Sequence, residues 1–485
     1  MFRFDNSYAG LPENFYARVA AATVPSPRLI KWNSDLADEL GWENLQYSEE
    51  EIADCFSGNR QLPGSDPIAL AYAGHQFGSF VPSLGDGRAL LLGEVVNSRG
   101  QRFDLQLKGS GRTPFSRGGD GKAPLGPVLR EYLVSEAMHH LGLPTSRSLA
   151  AVLTGEQVYR DKAMPGAVLT RVASSHIRIG TFEYFASRQD HESLKTLLDY
   201  TIQRHYPEIK GEPDAPVLFL AKAGRLQAEL VSGWMALGFI HGVMNTDNMS
   251  VAGETIDYGP CAFMDEFSHD RVYSFIDQGG RYAYSNQMPI VLWNLSRLGE
   301  CLLPLMPHES KEAVRILENE LMSTQEFLEG RAHEKMCCKL GIFDHSGEQD
   351  KELVKDWLHY LERERLDYTQ SFRNLAELLN SGSYPGWFSP GNELKDFCDR
   401  WRRRIMQQGL DPEEIKNRMN EHNPVFIPRN HKIEEIIEAA NMGDFSLFHE
   451  MNELLKNPYL EQEGFKSYTL PPRPEEVVAN TFCGT

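Results

Sequence analysis

The stretch Phe239 to Pro260 constrains this chain more than any other. A long apolar helical run ends near Ile240 and is followed by Asp247-Asn248, a short Met-Ser-Val segment that predicts a strand, a turn at Gly253, and Ile256-Asp257-Tyr258-Gly259. The spacing lets a hairpin bring the Asn248 amide oxygen and the Asp257 carboxylate to one point, a pair of hard oxygen ligands suited to a phosphate-bound Mg2+. Read in isolation, the same residues serve equally as turn and cap formers, since Asp and Asn favour such positions. The rest of the chain has to choose between the two readings.

Two upstream segments favour the first. Arg102 to Gly109 alternates Phe103, Leu105 and Leu107 with Asp104, Gln106 and Lys108, so Lys108 ends a strand. Pro127 to Leu141 has helical spacing and carries Glu131. A strand lysine followed by a helical glutamate is the arrangement by which a carboxylate holds an ammonium against nucleotide phosphates. Gly85-Asp86-Gly87-Arg88 forms a tight turn before the apolar run Ala89 to Val96, and Gly118-Gly119-Asp120-Gly121 is a second glycine loop. Either can lay backbone N–H groups on a polyphosphate, and either can be a plain hairpin. Two further strands are predicted at Ser148 to Thr154 and Ala167 to Val172. Arg171 and Arg178 leave the second of them, placed either to clamp phosphate oxygens or to pair with acids.

Charge and cysteine content remove other classes. A net charge of -19 in 485 residues argues against a nucleic-acid surface, which needs clustered Lys and Arg. Arg400-Trp401-Arg402-Arg403-Arg404 reads as an ion-paired helix face. Seven scattered cysteines without a Cys-x-x-Cys pair speak against structural zinc or a secreted disulfide framework. No stretch is long and apolar enough to predict a membrane span, and Met-Phe-Arg-Phe-Asp lacks a signal-peptide core, so a cytoplasmic setting is expected.

Taken in order, residues 1–64 read as an N-terminal extension with a helix at Asn33 to Leu40. Residues 65–175 form a strand-rich lobe, residues 176–320 a helical lobe with the candidate loop and metal site, and 321–485 a helical extension and tail. Helices are expected at Glu192 to Tyr206, Leu218 to Ile240, Ile290 to Leu305, Glu312 to Leu340, Lys351 to Leu379, Asn392 to Gln408 and Ile433 to Leu455. Leu226, Leu230, Trp234, Leu237 and Ile240 mark the second as a buried central helix.

The resulting fold class is α+β: a two-lobed protein-kinase-like fold with a small β-rich lobe, a large helical lobe, and N-terminal and helical C-terminal extensions. Its loop departs from the kinase pattern His-Gly-Asp-x-x-x-x-Asn. In His241-Gly242-Val243-Met244-Asn245-Thr246-Asp247-Asn248 the Asp is replaced by Val243, and the acid reappears at Asp247. Together with Leu105 to Gly111, Gly118 to Gly121 and Asn423-Pro424-Val425-Phe426-Ile427-Pro428-Arg429-Asn430, these motifs resemble the selenoprotein O (SelO/YdiU) family of kinase-fold protein adenylyltransferases along almost the whole chain.

The resemblance implies AMP transfer from ATP to Ser, Thr or Tyr hydroxyls of proteins, self-modification included, with pyrophosphate released. It implies nucleotide contacts at Gly85, Gly87, Arg88, Lys108, Asp120, Gly121, Arg171, Arg178 and Asp257, the Lys108–Glu131 ion pair, and Mg2+ or Mn2+ on Asn248 and Asp257. Asp247 would be the catalytic acid/base, and Cys483 a redox-active tail residue with Cys261 as its candidate partner. Protein uridylylation with UTP and an inactive pseudokinase scaffold that only binds nucleotide stay open as alternatives.

Overall fold

The computed structural model describes residues 3–345, 347–379, 388 and 391–481. Its strands are β1 (Tyr16–Arg18), β2 (Arg28–Trp32), β3 (Ile68–Leu70), β4 (Gly74–Gln76), β5 (Ser79–Val81), β6 (Ala89–Val96), β7 (Arg102–Lys108), β8 (Ala123–Pro124), β9 (Arg147–Tyr159), β10 (Ala163–Ala173), β11 (Phe239–Ile240) and β12 (Ala262–Phe263). The main sheet runs β1-β3-β6-β7-β10-β9-β2, with β8 on β10, and all of its pairings are antiparallel. Residues 16–32 therefore supply the strands at both ends of this order. Strands β9 and β10 extend well beyond the apolar segments that announced them, because their polar ends form an exposed hairpin.

The alternation along β7 is realised as expected. Leu105 and Leu107 face a core shared with α1 (Ser34–Glu39) and α2 (Glu49–Ser57). Asn33 caps α1 by accepting from Leu36 N, and Ser48 with Glu51 forms a capping box on α2. Asp104, Gln106 and Lys108 lie on the opposite face, all buried. Over that face runs α3 (Leu125–His140), buried on every side between the sheet and later helices.

Helices α4 (Ile179–Ala186), α5 (His191–His205), α6 (Ala215–Leu237), α7 (Gln287–Leu302) and α8 (Ser310–Lys339) follow. The central helix α6 ends at Gly238, whose φ of 68° supplies the left-handed cap. Chain direction then reverses into β11, which pairs with β12. Two details of the predicted central helix are corrected: Ile240 belongs to β11, and Leu226 is 42% exposed because it sits on the one face of α6 turned outward.

The C-terminal helices are α9 (Glu348–Glu364), α10 (Tyr368–Leu375), α11 (Asn392–Met406), α12 (Pro412–His422), α13 (Asn430–Asn441) and α14 (Ser446–Leu454). The single helix expected over Lys351 to Leu379 is broken at Arg365, which adopts φ 55°, and restarts where Asp367 caps Gln370 N. The one expected over Ile433 to Leu455 is broken at Gly443, φ 93°. Helix α12 was not expected, although Asp411 caps it and Pro412 opens it. The basic run is ion-paired: Arg400 meets Asp356 at 2.8 Å, and Arg404 meets Asp350 at 2.6 Å. Arg429 joins Asp265, 2.6 Å away, to Asp367 at 2.8 Å, tying α13 to the segment that follows Asp257. Among the described residues no helix is long and apolar enough to cross a membrane.

Candidate active site

Lys108 ends β7 directly beneath α3, and its Nζ lies 2.6 Å from Glu131 Oε2. Arg171, which pairs with Gln106 across the sheet, places Nε 2.5 Å from Glu131 Oε1 and binds Asp257 Oδ1 through Nη2. Arg178, just before α4, puts Nη1 2.5 Å from Asp257 Oδ2, while Lys108 Nζ is 3.4 Å from Asp257 Oδ1. Three cations thus share two carboxylates in one buried network, leaving a positive charge in surplus. Burial alone would raise the Asp257 carboxyl, but Arg171, Arg178 and Lys108 hold it well below the carboxylate range. Burial, reinforced by Arg171, lowers the Lys108 ammonium. Asp257 adopts φ 61°, a conformation that neighbouring contacts have to enforce on a residue other than glycine.

One such contact is His241, stacked on Trp234 with ring centroids 5.3 Å apart, whose Nε2 lies 2.9 Å from Ile256 O. From His241 the loop runs through Val243 to a 3-10 turn at Thr246–Asn248. Asn294 Nδ2 donates to Met244 O at 2.9 Å, and Tyr282 OH donates to Asn245 Oδ1 at 2.6 Å. Asn248 Nδ2 donates to Val243 O at 2.9 Å, which orients the amide and makes Oδ1 its acceptor for a cation. The hairpin between Asn248 and Asp257 forms, closed by a Met249–Thr255 bridge, but Met-Ser-Val is not a strand: Ser250 bridges to Arg178 instead. Burial pushes the Asp247 carboxyl up to about 6. Its Oδ1 is buried without a hydrogen-bond partner, and Gln76 Nε2 donates to Oδ2 at 3.3 Å.

These elements border a cleft of about 730 Å³. Gly85, Gly87, Arg88, Lys108, Asp120, Gly121, Arg178, Asp247, Asn248 and Asp257 all line it; Glu131 and Arg171 stand behind and hold the lining in place. The two glycine segments lock together. A Cβ on Gly85 would lie 2.3 Å from the Phe115 ring, and one on Gly121, φ 70°, would lie 2.0 Å from Gly111 O. Thr113 Oγ1 donates to Asp86 O at 2.6 Å. Asp120 is held by both terminal nitrogens of Arg160, at 2.9 and 3.0 Å. Sequence reasoning passed over Arg112, Arg117, Lys122 and Arg160, which add basic groups to the lining, and the wall formed by Tyr72, Gln76 and Phe77. The first three flank the Gly118–Gly121 loop and were readable there; nothing in the sequence pointed to Gln76. Cys261 is buried in the core, and Cys483 lies outside the described residues.

Among the described residues no group of three or more His, Cys, Asp or Glu side chains could hold a metal by protein ligands alone. Asn248 and Asp257 both line the cleft, and ions whose remaining ligands are phosphate and water need only one or two protein oxygens; a cation here would share the Asp257 carboxylate with Lys108, Arg171 and Arg178, which already hold both of its oxygens.

A family model described as "Protein adenylyltransferase SelO" matches residues 1–456. The chain is 52% identical over 490 residues to the protein nucleotidyltransferase YdiU of Rhodopseudomonas palustris strain BisB5, covering 100% of this chain and 99% of that protein. It is 51% identical over 488 residues to the protein of the same name from Bradyrhizobium sp. strain BTAi1, and 49% identical over 488 residues to that of Bradyrhizobium diazoefficiens, with the same coverage. Matches of this extent define the class: the protein is an enzyme, a nucleotidyltransferase. The chain belongs to the SelO family of protein adenylyltransferases.

Proposed function

We propose that this enzyme transfers AMP from ATP to Ser, Thr or Tyr hydroxyls of proteins, its own included, and releases pyrophosphate. The observation that carries the reading is that Val243 and Asp247, the two residues at which the loop departs from the kinase pattern, both line the cleft. Val243 lines the cleft where a kinase keeps its acid, and the buried carboxyl beside the Asn248 amide is Asp247. A hydroxyl approaching Asp247 gives up its proton to that carboxylate, its oxygen bonds to the α-phosphorus, and the bond from that phosphorus to the bridging oxygen breaks. Pyrophosphate leaves with the electron pair.

The basic groups support ATP in an orientation inverted from that of a kinase, with the β- and γ-phosphates among Arg88, Lys108 and the Gly118–Gly121 loop and the α-phosphate toward Asp247. Arg112 and Arg117 line the same side, next to the Arg160–Asp120 and Lys122–Glu156 ion pairs. Arg171 and Glu131 fix Lys108 and Asp257 from behind. Asn248 and Asp257 would hold Mg2+ or Mn2+, which when bound neutralises phosphate charge as a Lewis acid. The antiparallel sheet with α3, set against α4 to α8, supports a two-lobed kinase-like reading: residues 65–175 and 176–320 as the lobes, 1–64 and 321–485 as extensions.

Intact-mass measurement after incubation with ATP and either metal tests the proposal. A mass increment of one AMP is expected, and an increment of one phosphate would restore a kinase. The relatives carry the wider name nucleotidyltransferase, so UTP is tested beside ATP; an increment of one UMP in preference to AMP would reassign the donor.

A further inference from the structure

Strand β4 touches the candidate acid on one face. Gly74 and Gln76 alternate along the strand and both meet Asp247: a Cβ on Gly74 would lie 2.6 Å from Oδ1, and Gln76 Nε2 donates to Oδ2. His75, pointing the other way, ends 2.5 Å from Glu183 Oε1, and its backbone N donates to Thr246 Oγ1 at 2.7 Å. Phe77 and Gly78 close the β4–β5 hairpin with φ of 50° and 83°, the two-residue turn in which both central residues are left-handed. Such a conformation is costly at Phe77 and needs outside support. Phe77 N supplies it by donating to Asn245 Oδ1 at 3.1 Å, with the ring 5.1 Å from that of Tyr282.

We propose that β4 is the template that seats the Asp247 carboxylate, with Gln76 as its positioning residue. The amide of Gln76 sets the rotation of the carboxylate, the bare Cα of Gly74 leaves the space it occupies, and the strained turn at Phe77 holds the strand against the loop. No other side chain among the described residues donates to that carboxylate. The inference rests on the reading of Asp247 as the group that takes the acceptor proton.

The test uses the full-length enzyme with ATP, metal and a protein acceptor, and compares Gln76→Ala, Gln76→Glu, Gly74→Ala and Asp247→Asn. Gln76→Ala is expected to lower kcat by roughly tenfold or more while KM for ATP stays within about twofold, since orientation of the carboxylate acts on the step and not on nucleotide binding. Gln76→Glu keeps the size but removes the donor and adds a like charge, so it should lose at least as much. Gly74→Ala should lower kcat similarly, because Gly74 does not occupy the left-handed region and the added methyl would press on the Asp247 side chain, 2.6 Å from Oδ1, 2.9 Å from Cβ and 3.0 Å from Cγ. Melting temperatures report whether each variant is folded. Near-normal kcat in both Gln76→Ala and Gly74→Ala, or a normal Gln76→Glu, overturns the inference while an inactive Asp247→Asn leaves the reading of Asp247 standing. A fully active Asp247→Asn overturns both.

Discussion

Arg178 is bonded at once to both ends of the loop hairpin: its Nη1 donates to Asp257 Oδ2 and to the backbone oxygen of Asp247, each at 2.5 Å. Its guanidinium also covers the Tyr72 ring at 4.7 Å. A lysine offers one point charge and cannot keep this planar grip. Arg178→Lys is therefore expected to reduce transfer by at least about tenfold with a fold that survives. Steady-state rates beside circular dichroism check this.

Among the described residues Asp257 is the one carboxylate that Lys108, Arg171 and Arg178 all touch. Removing it would take away a proposed cation ligand and strand buried positive charge. Asp257→Ala should lower transfer by at least about a hundredfold and lower the melting temperature by several degrees. Transfer assays and calorimetry, run with and without ATP and metal, measure both. Near-normal transfer would refute the role of Asp257.

Gly121 reports on the glycine loop. Its φ of 70° and the 2.0 Å separation that a Cβ would have from Gly111 O leave no room for a side chain. Gly121→Ala should cost about 1–3 kcal/mol in stability and weaken ATP binding. Denaturant unfolding and calorimetric titration with ATP measure the two effects. Gly118→Ala separates the two causes: its Cβ would meet nothing within 4 Å but its φ is 88°, so it should carry the backbone cost without the clash and lose less than Gly121→Ala.

The elements that sequence made legible were those whose signal is local. The alternation in Arg102 to Lys108, the helix opening at Asn33 and the apolar core of α6 each show in their own residues. The breaks at Arg365 and Gly443 were missed for a physical reason: a left-handed residue inside an otherwise helical pattern changes little in the periodicity, and at Arg365 not even glycine marks it. In the site, Asp247, Asn248 and Asp257 could be read because they cluster in the chain. Gln76 and Phe77 could not, since they reach the loop from 171 and 168 residues away, through tertiary packing alone.

Lys339 offers a test of stability against pH. It is buried at the end of α8, its Nζ 4.4 Å from the Phe372 ring centre, and burial lowers its ammonium from 10.5 to about 7. Between about pH 7 and 10 the unfolded chain holds this proton and the folded chain does not, so stability should rise with pH across that window. Below pH 7 both states are charged and the full cost of burying the ammonium remains. Lys339→Met should raise stability near pH 7 by about 1–3 kcal/mol, the cation–π contact offsetting part of the gain, and should flatten the rise. Thermal unfolding from pH 6 to 10 reads both.

The central claim is that the α-phosphate is the one attacked. Wild type, Lys108→Ala and Asp247→Asn, each incubated with metal and an acceptor protein, should be given ATP labelled on either the α- or the γ-phosphate. The account predicts that α-label enters protein with wild type and falls by at least about a hundredfold in both variants, with γ-label absent throughout. Incorporation of γ-label by wild type, or retention of neither label despite measurable ATP binding, would contradict it.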